Sequence, residues 1–404
     1  MPGEVPSGWE RSTLGRVAEV ILGQSPPSAL CNGDGVGLPF FQGNAEFGPL
    51  HPIPKQWIVE EFKVAEPTDV LLSVRAPVGE LNITLERCVI GRGLAAIRGR
   101  SADPRFMYYL LHERRHLLDS LGQGSTFEAI NGTDLRGLPV VTPPLPEQKK
   151  IAAILSSVDE AIQATQAVID QTRRVKEGLL QDLLTRGLPG HTRFKQTEIG
   201  EIPESWEVGA LGSVCEMVTS GPRGWATYYA EAGDVFLRSQ NIRNGFLDWS
   251  DKAYVDPPTG AETERARLAP GDILITITGN SVGNVSLFPG VAGSQAYASQ
   301  HVGVVRLQDK GMATFFAAYL SPDGPGQKQL MKAFYGQSKP GLSLVQLRDL
   351  RVPTVPPEER RRIEGVLDSM ARAATQQAEK LTTLLRLKAG LLQDLLTGKV
   401  RVTQ

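Results

Sequence analysis

The chain has 404 residues, 43 basic against 44 acidic, with 41% hydrophobic and 6% aromatic residues; this balance excludes a disordered, collagen-like or disulfide-stapled protein. At roughly 100 to 200 residues per domain, the length calls for two to four compact units. A formal net charge of -1 gives no bulk attraction to a polyanion, so a nucleic-acid partner has to be met by local patches.

In chain order, the first recognisable element is a head, VPSGWERSTLGRVAEV from Val5. The body behind it, to residue 143, is rich in Gly and Pro with short β-type runs such as VLLSV, and one helix is expected near Phe106 to Leu118. A Pro-rich hinge, VTPPLPEQ, then leads into a segment from Glu147 to Leu184 without proline and with Gly178 as its one glycine. Apolar or small residues fall there at Ile151, Ile154, Val158, Ala161, Thr165, Val168, Thr172, Val175 and Leu179, with Leu183 beyond, a spacing of threes and fours that predicts a long helix with a packing seam. About 38 residues of helix span roughly 57 Å, and so long a helix needs a partner. Gly187 supplies the stop.

The order then repeats. A second head, IPESWEVGALGSVCEM, starts at Ile202, with Trp206 matching Trp9; a second body with ILITIT and HVGVVRL runs to residue 355, with a helix expected near Thr314 to Tyr319. A second hinge, PTVPPEE, opens a second helix from Glu359 to Leu396, its seam carried by Ile363, Val366, Met370, Ala374, Leu381, Leu384, Leu391 and Leu395, interrupted by Gln377 and stopped by Gly398. The octapeptide GLLQDLLT occurs from Gly178 and again from Gly390, and the same spacing of 212 residues relates Pro144 to Pro356 and Ile151 to Ile363. The chain is therefore a duplicated unit of about 200 residues. Its bodies share only a faint pattern, Gln42-Gly43-Asn44 against Ser239-Gln240-Asn241 and EPTDVLLSVRAPVG against APGDILITITGNSVG. Constant ends bind something shared, and variable bodies bind something different. The expected organisation is 1–143 body, 144–188 helix, 189–355 body and 356–404 helix, in an α+β fold.

Four segments mimic catalytic motifs. His112-Glu113-Arg114-Arg115-His116 matches H-E-x-x-H, which on one helix would offer two zinc ligands, but His51, His191 and His301 lie at no supporting spacing; a zinc hydrolase is the alternative this leaves, against a plain polar surface helix. Gly279 to Gly283 matches G-x-S-x-G around Ser281, yet NVSLFPG follows where a helix should, so a Gly-rich turn is expected. Asp256-Pro257-Pro258-Thr259 lacks the aromatic that would stack on a flipped base, and Ala45 breaks the glycine pattern begun by Phe41-Gln42-Gly43. Both are expected to be turns. Between Arg87 and Arg115 seven arginines face two acids, and Arg238, Gln240, Asn241 and Arg243 follow a short strand. Arginine suits guanine edges and phosphate, and glutamine or asparagine suits adenine, so Gln42, Asn44, Arg75, Arg92, Arg98, Arg238, Gln240, Asn241, Arg243, Asn280, Gln300 and Lys339 are candidate DNA contacts. Three widely separated cysteines, Cys31, Cys88 and Cys215, with neither a leader pattern nor a membrane-length apolar run, lead to the expectation of a cytoplasmic protein.

The layout resembles the DNA-specificity (S) subunit of type I restriction-modification systems. The resemblance is carried by PPLPEQKKIAAILSSVDEAI with GLLQDLLTRG, by PPEERRRIEGVLDSM with GLLQDLLTGKV, by the Trp-Glu heads, and by GDILITITGNSVG and GRGLAAIRG, over essentially the whole chain. The second hinge departs from it slightly, with Glu359-Arg360 in place of Glu147-Gln148. The resemblance implies two target-recognition domains, each reading half of a split double-stranded DNA site, and two helices packed as an antiparallel coiled coil with pseudo-twofold symmetry. It also implies that the helices, through residues such as Ile151, Ile154, Val158, Leu179, Leu183, Ile363, Val366, Met370, Leu391 and Leu395, form the spacer and dock two adenine-N6 methyltransferase (M) subunits. Restriction-translocase (R) subunits would join them. This chain would carry no active site, metal or cofactor, and S-adenosylmethionine, ATP and magnesium would belong to the partners.

Overall fold

The computed structural model describes residues 5–122, 129–335 and 341–402, and the chain separates into two compact units. One comprises the chain to Gln166 together with Glu379 onward; the other is Ala167–Ala378. Each long helix thus contributes to both units.

In the first unit the head strand Glu10–Thr13 pairs antiparallel with Pro139–Thr142, which closes the body just before the hinge. The body holds a four-stranded sheet in the order Ala18–Leu22, Leu94–Gly99, Val70–Ser73, Leu81–Ile83. A second sheet runs Cys31–Asn32, Gln56–Ile58, Leu38–Phe41, Cys88–Ile90, Val64–Ala65, in which Leu38–Phe41 and Cys88–Ile90 are parallel. Val70, Leu71 and Leu72 are all fully buried, because the two faces of their strand serve different cores; Val70 and Leu72 pack with Phe106 and Met107, Leu71 with Phe41 and Ile90. The helix Pro104–Glu113 is capped by Asp103, whose side chain accepts from the Phe106 amide, and a separate helix, Arg115–Gly122, follows it.

The second unit repeats this order. Glu207–Ala210 pairs with Arg351–Thr354, and the four-stranded sheet runs Cys215–Ser220, Val302–Leu307, Ile273–Thr276, Val285–Leu287. The other sheet runs Tyr229–Ala230, Ala253–Val255, Asp234–Leu237, Ala296–Ala298, and again its last two strands are parallel. The bodies that share so little sequence share a strand order. The expected helix is Ala313–Leu320, and Gln327–Tyr335 is a further one that the sequence reading did not anticipate.

The long helices are Leu145–Thr185 and Pro357–Leu396. They start two residues earlier than expected because Pro146 and Pro357 sit in their first turns, where a missing N–H costs no hydrogen bond. Gly187 and Gly398 follow them with φ of 74° and 70°. In the first unit Ile151, Ala152 and Leu155 share a core with Leu392, Leu395 and Leu396, and Lys388 pairs with Asp159 at 2.7 Å. In the second, Leu180, Leu183 and Leu184 share a core with Ile363 and Leu367. Ile154, Val366 and Leu391 flank these cores, Val158 is buried, and Met370 is half-buried.

The expected seam drifts, however: Val168, Val175 and Leu179 are 45%, 52% and 39% exposed, whereas Ile169, Lys176 and Leu180 turn inward. Leu179 lies four heptads after Ile151. An α-helix falls behind a seven-residue repeat by about 20° per heptad, so Leu179 has rotated about 80° off the seam and Leu180 has replaced it.

Each head is fastened to a hinge carboxylate. Glu147 accepts from Trp9 Nε1 (3.2 Å), from Arg401 Nε and Nη2 (both 2.8 Å) and from the Val402 amide (3.2 Å). Glu359 accepts from Trp206 Nε1 (2.9 Å) and the Leu188 amide (3.0 Å), and bonds His191 Nε2 at 2.6 Å. The Arg401 guanidinium holds the Glu147 carboxyl below the usual carboxylate range, against its burial. Burial works against Glu359 too, but Trp206, His191 and the Leu188 amide outweigh it and leave that carboxyl low as well. At the hinge position where the copies differ, Gln148 accepts from the Asp103 amide (2.9 Å), and Arg360 instead reaches the Asp309 carboxylate (2.8 Å). The chemistry changes and the junction is kept.

Cys31, Cys88 and Cys215 are free thiols, and burial pushes Cys88 up to about 12. Among the described residues no helix is long and apolar enough to cross a membrane.

Candidate nucleic-acid interface

Strand direction gathers the polar candidates at one end of each body. In the second, Cys215–Ser220 runs parallel to Ile273–Thr276 across their shared neighbour Val302–Leu307, Asp234–Leu237 runs parallel to Ala296–Ala298, and the two sheets meet at these C-terminal ends, where the Ser299 amide bonds the Leu237 carbonyl and the Ile277 amide the His301 carbonyl. The segments that follow Cys215–Ser220, Asp234–Leu237 and Ala296–Ala298 line a cleft of about 310 Å³. Trp225, Tyr229 and Phe236 form its apolar wall, and Arg238, Gln240, Gln300 and His301 its polar one. Trp225 stacks on Phe236 with centroids 5.8 Å apart, so the wall is fixed from behind. Asn280 is exposed on the loop of the neighbouring hairpin. Arg243 bonds the Asp248 carboxylate at 3.2 Å, and Ser250 with Arg243 holds that carboxyl below its usual range. Lys339 lies outside the described residues.

In the first body the equivalent end carries Gln42, whose Nε2 donates to Ser25 Oγ (2.7 Å), and Arg92, whose backbone amide donates to the same oxygen (3.2 Å). Arg75 follows the Val70–Ser73 strand and is exposed. Neither Arg75 nor Arg92 forms an ion pair among the described residues. Asn44 lines a different cleft, with Asn82, His112 and Arg115.

Two candidates are engaged within the fold. Arg98 is committed to Asp69, with Nε and Nη2 bonding its carboxylate at 3.0 and 2.8 Å, while Asp69 also caps the Glu66 amide. The second body repeats the arrangement, Arg306 holding Asp272, which caps the Ala269 amide. Arg98 is thus half of a duplicated structural ion pair. Asn241 is 3% exposed; its Oδ1 accepts from the Arg238 amide, and its Nδ2 donates to the Asp248 and Asp251 carbonyls. Both amide hydrogens are spent on the loop itself.

The run of arginines from Arg87 to Arg115 is no single patch either. Arg87 pairs with Glu61 and Glu66, Arg115 with Glu80, and Arg105 donates to Ser156. Ser25, Asp251 and His301 also take part in these sites, and of the three only His301, through its adjacency to Gln300, carries a signal in the sequence.

Helix ends, a hairpin loop and a strand-to-helix link hold three of the segments that mimic catalytic motifs. His112 and His116 lie in separate helices on either side of Arg114, both exposed, and no group of three His, Cys, Asp or Glu side chains suited to a metal occurs among the described residues. Ser281 lies in the loop of an antiparallel hairpin joining Ile273–Thr276 to Val285–Leu287, so no helix follows it as a nucleophile elbow requires. Asp256 to Thr259 links a strand to the short helix Ala261–Ala266.

Comparison with known proteins agrees with this division. A profile described as the type I restriction modification DNA specificity domain matches residues 6–172 and 203–386. The protein described as the type I restriction enzyme MjaX specificity subunit of Methanocaldococcus jannaschii is 40% identical over 187 residues, 45% of this chain and 44% of that protein. That match spans less than half the relative's length. The MjaVIII specificity subunit of the same organism is 26% identical over 76% of this chain and 72% of its own. Among solved structures, the S subunit of a type I restriction-modification system from M. genitalium superposes with a TM-score of 0.65 at 17% identity, covering 98% of both chains. A chain from a type I R-M system, solved to study its complex assembly and conformational transition, gives 0.59 at 18% identity over 99% of this chain and 100% of its own. At those identities the two structures bear on the fold alone.

Proposed function

Since the chain belongs to the family of type I restriction-modification DNA specificity domains, we propose that it is the sequence-reading subunit of such a complex, each body reading one half of a bipartite, asymmetric double-stranded DNA site. The observation that carries this is the pairing of one strand order with two different loop chemistries. The first body offers Gln42, Arg75 and Arg92 at its loop end; the second offers Gln240, Gln300 and His301 in an aromatic-backed cleft whose turn Arg238 supports. Equal scaffolds with unequal loops suit two unequal half-sites.

In this reading the long helices pack as an antiparallel coiled coil that sets the spacer. Support comes from each unit separately, where the opening of one helix and the close of the other share a core. The same helices dock two adenine-N6 methyltransferase subunits. Their solvent faces keep apolar residues, Val168, Val175 and Leu179 on one and Leu387 on the other, and Leu387 stands at the repeat position of Val175. R subunits complete the assembly. The chain itself is non-catalytic, and S-adenosylmethionine, ATP and magnesium act in the partners. Residues 1–143 carry 13 basic against 16 acidic side chains and residues 191–355 carry 15 against 16, so the grip on phosphate comes largely from those partners.

Mapping N6-methyladenine in cells that express the chain with its methyltransferase partner tests the proposal. One motif in two parts, separated by unspecified bases, is expected. A single uninterrupted motif contradicts it.

A further inference from the structure

The turn that presents Gln240 is welded to a neighbouring acidic loop. Buried Asn241 ties the Arg238 amide to the Asp248 and Asp251 carbonyls. Arg238 Nη2 bonds the Asp251 carbonyl (3.1 Å) and its carboxylate (2.9 Å), and the same carboxylate oxygen accepts from Gln240 Nε2 at 2.6 Å. An ionised carboxylate only accepts, so this contact fixes which end of the amide faces Asp251. The Nε2 of Gln240 points toward the acid, and among the described residues nothing else engages the amide, so its Oε1 and the second Nε2 hydrogen are left for another partner. Gln240 is itself exposed at the rim of the aromatic-backed cleft.

From this geometry we infer that Gln240 reads an adenine in the half-site of the second body and that Asp251 is its positioning residue; the inference rests on the DNA-reading role proposed above. One acceptor beside one donor complements the N6 donor and N7 acceptor of adenine in the major groove. Guanine presents two acceptors there, cytosine a donor without the acceptor, and thymine an acceptor beside a methyl group, so each leaves part of the amide unmatched. Arg238 is held by Asp251 through the carbonyl and the carboxylate, which makes it a second support of the turn. The adenine concerned is distinct from the methylated one, because a base withdrawn from the stack for chemistry no longer shows its edge in the groove.

The test uses the full chain assembled with its methyltransferase partner. Initial methylation rates are measured on duplexes in which each base pair of the wild-type motif is changed in turn. For Gln240→Ala, discrimination at one A·T pair should fall by roughly 5- to 160-fold, the range of one bidentate base contact, with the other positions within about twofold. Gln240→Met, which keeps the stem and loses the amide, replaces it if the alanine variant fails to assemble. Asp251→Ala should lose part of the discrimination at that same pair, and Asp251→Asn, which keeps an acceptor oxygen, should restore it. An unchanged profile for both Gln240 variants, a change confined to a G·C pair, or a uniform loss at every position overturns the inference. A wild-type complex without a split motif instead overturns the proposed function on which it rests.

Discussion

Removing the Asp272 carboxylate tests whether the arginines of the sheets support the fold or read DNA. Asp272 is fully buried, caps the Ala269 amide at 2.8 Å and receives Arg306 Nε and Nη2 at 2.8 and 2.7 Å. Arg306 is itself only 17% exposed, so Asp272→Ala leaves a largely desolvated guanidinium whose one remaining partner among the described residues is the Arg267 carbonyl. Breaking a buried pair from one side costs about 3 to 5 kcal/mol. In the first body Arg98 is 35% exposed, and water rescues more of its charge; Asp69→Ala should cost less, about 2 kcal/mol. Hydrogen-deuterium exchange of Ile273–Thr276 and Val302–Leu307, against Val70–Ser73 and Leu94–Gly99, reads each loss in its own unit. The methylated motif should stay unchanged in every variant that assembles. Exchange altered by less than about 0.5 kcal/mol, or an Arg98→Ala variant of intact stability that loses one base of the motif, would refute the structural assignment.

The drift of the helix seam separates two leucines of one octapeptide. Leu183→Ala should destabilise the second unit by about 2 to 5 kcal/mol in urea unfolding, whereas Leu179→Ala should stay within about 0.5 kcal/mol and weaken co-purification of the methyltransferase partner. The Glu147 lock should fail in acid. Its carboxyl lies below the ordinary value of 4.5 when folded, so its contribution is complete above that value and fades as pH falls through the depressed folded value. The stability gap between wild type and Glu147→Gln, followed by thermal melts, should therefore hold above about pH 5 and close below 4.5; a gap constant down to pH 3.5 would argue against it. Adding one heptad to both long helices should lengthen the unspecified spacer by about 10 Å, or about three base pairs, while turning the helix face by only about 20°. A spacer of unchanged length would show that the helices do not set it.

The duplication, the long helices and their glycine stops were legible in the sequence because each rests on local signals: an octapeptide repeat, proline punctuation and a spacing of threes and fours. The seam was legible only near its start, since a drift of about 20° per heptad is invisible to a pattern counted in sevens. The body folds were hidden for a different reason. Arg98 is 29 residues from Asp69 and Arg306 is 34 from Asp272, so only strand pairing reveals that these arginines face acids. Asn241 and Gln240 are neighbours of similar chemistry, yet one is sealed beneath the turn and the other stands on its rim, a distinction set by the loop that carries Asp248 and Asp251.

The most direct test of the account is a chain in which the second body, residues 211–355, is replaced by a copy of the first, residues 14–143, leaving both long helices and the tryptophan-bearing strand ahead of each body in place. Methylome sequencing of cells that express it with the methyltransferase partner should show the half-site of the first body twice, as an inverted repeat around the original spacer. If the motif keeps the second half-site of the wild type, the bodies do not carry the specificity and the account is contradicted.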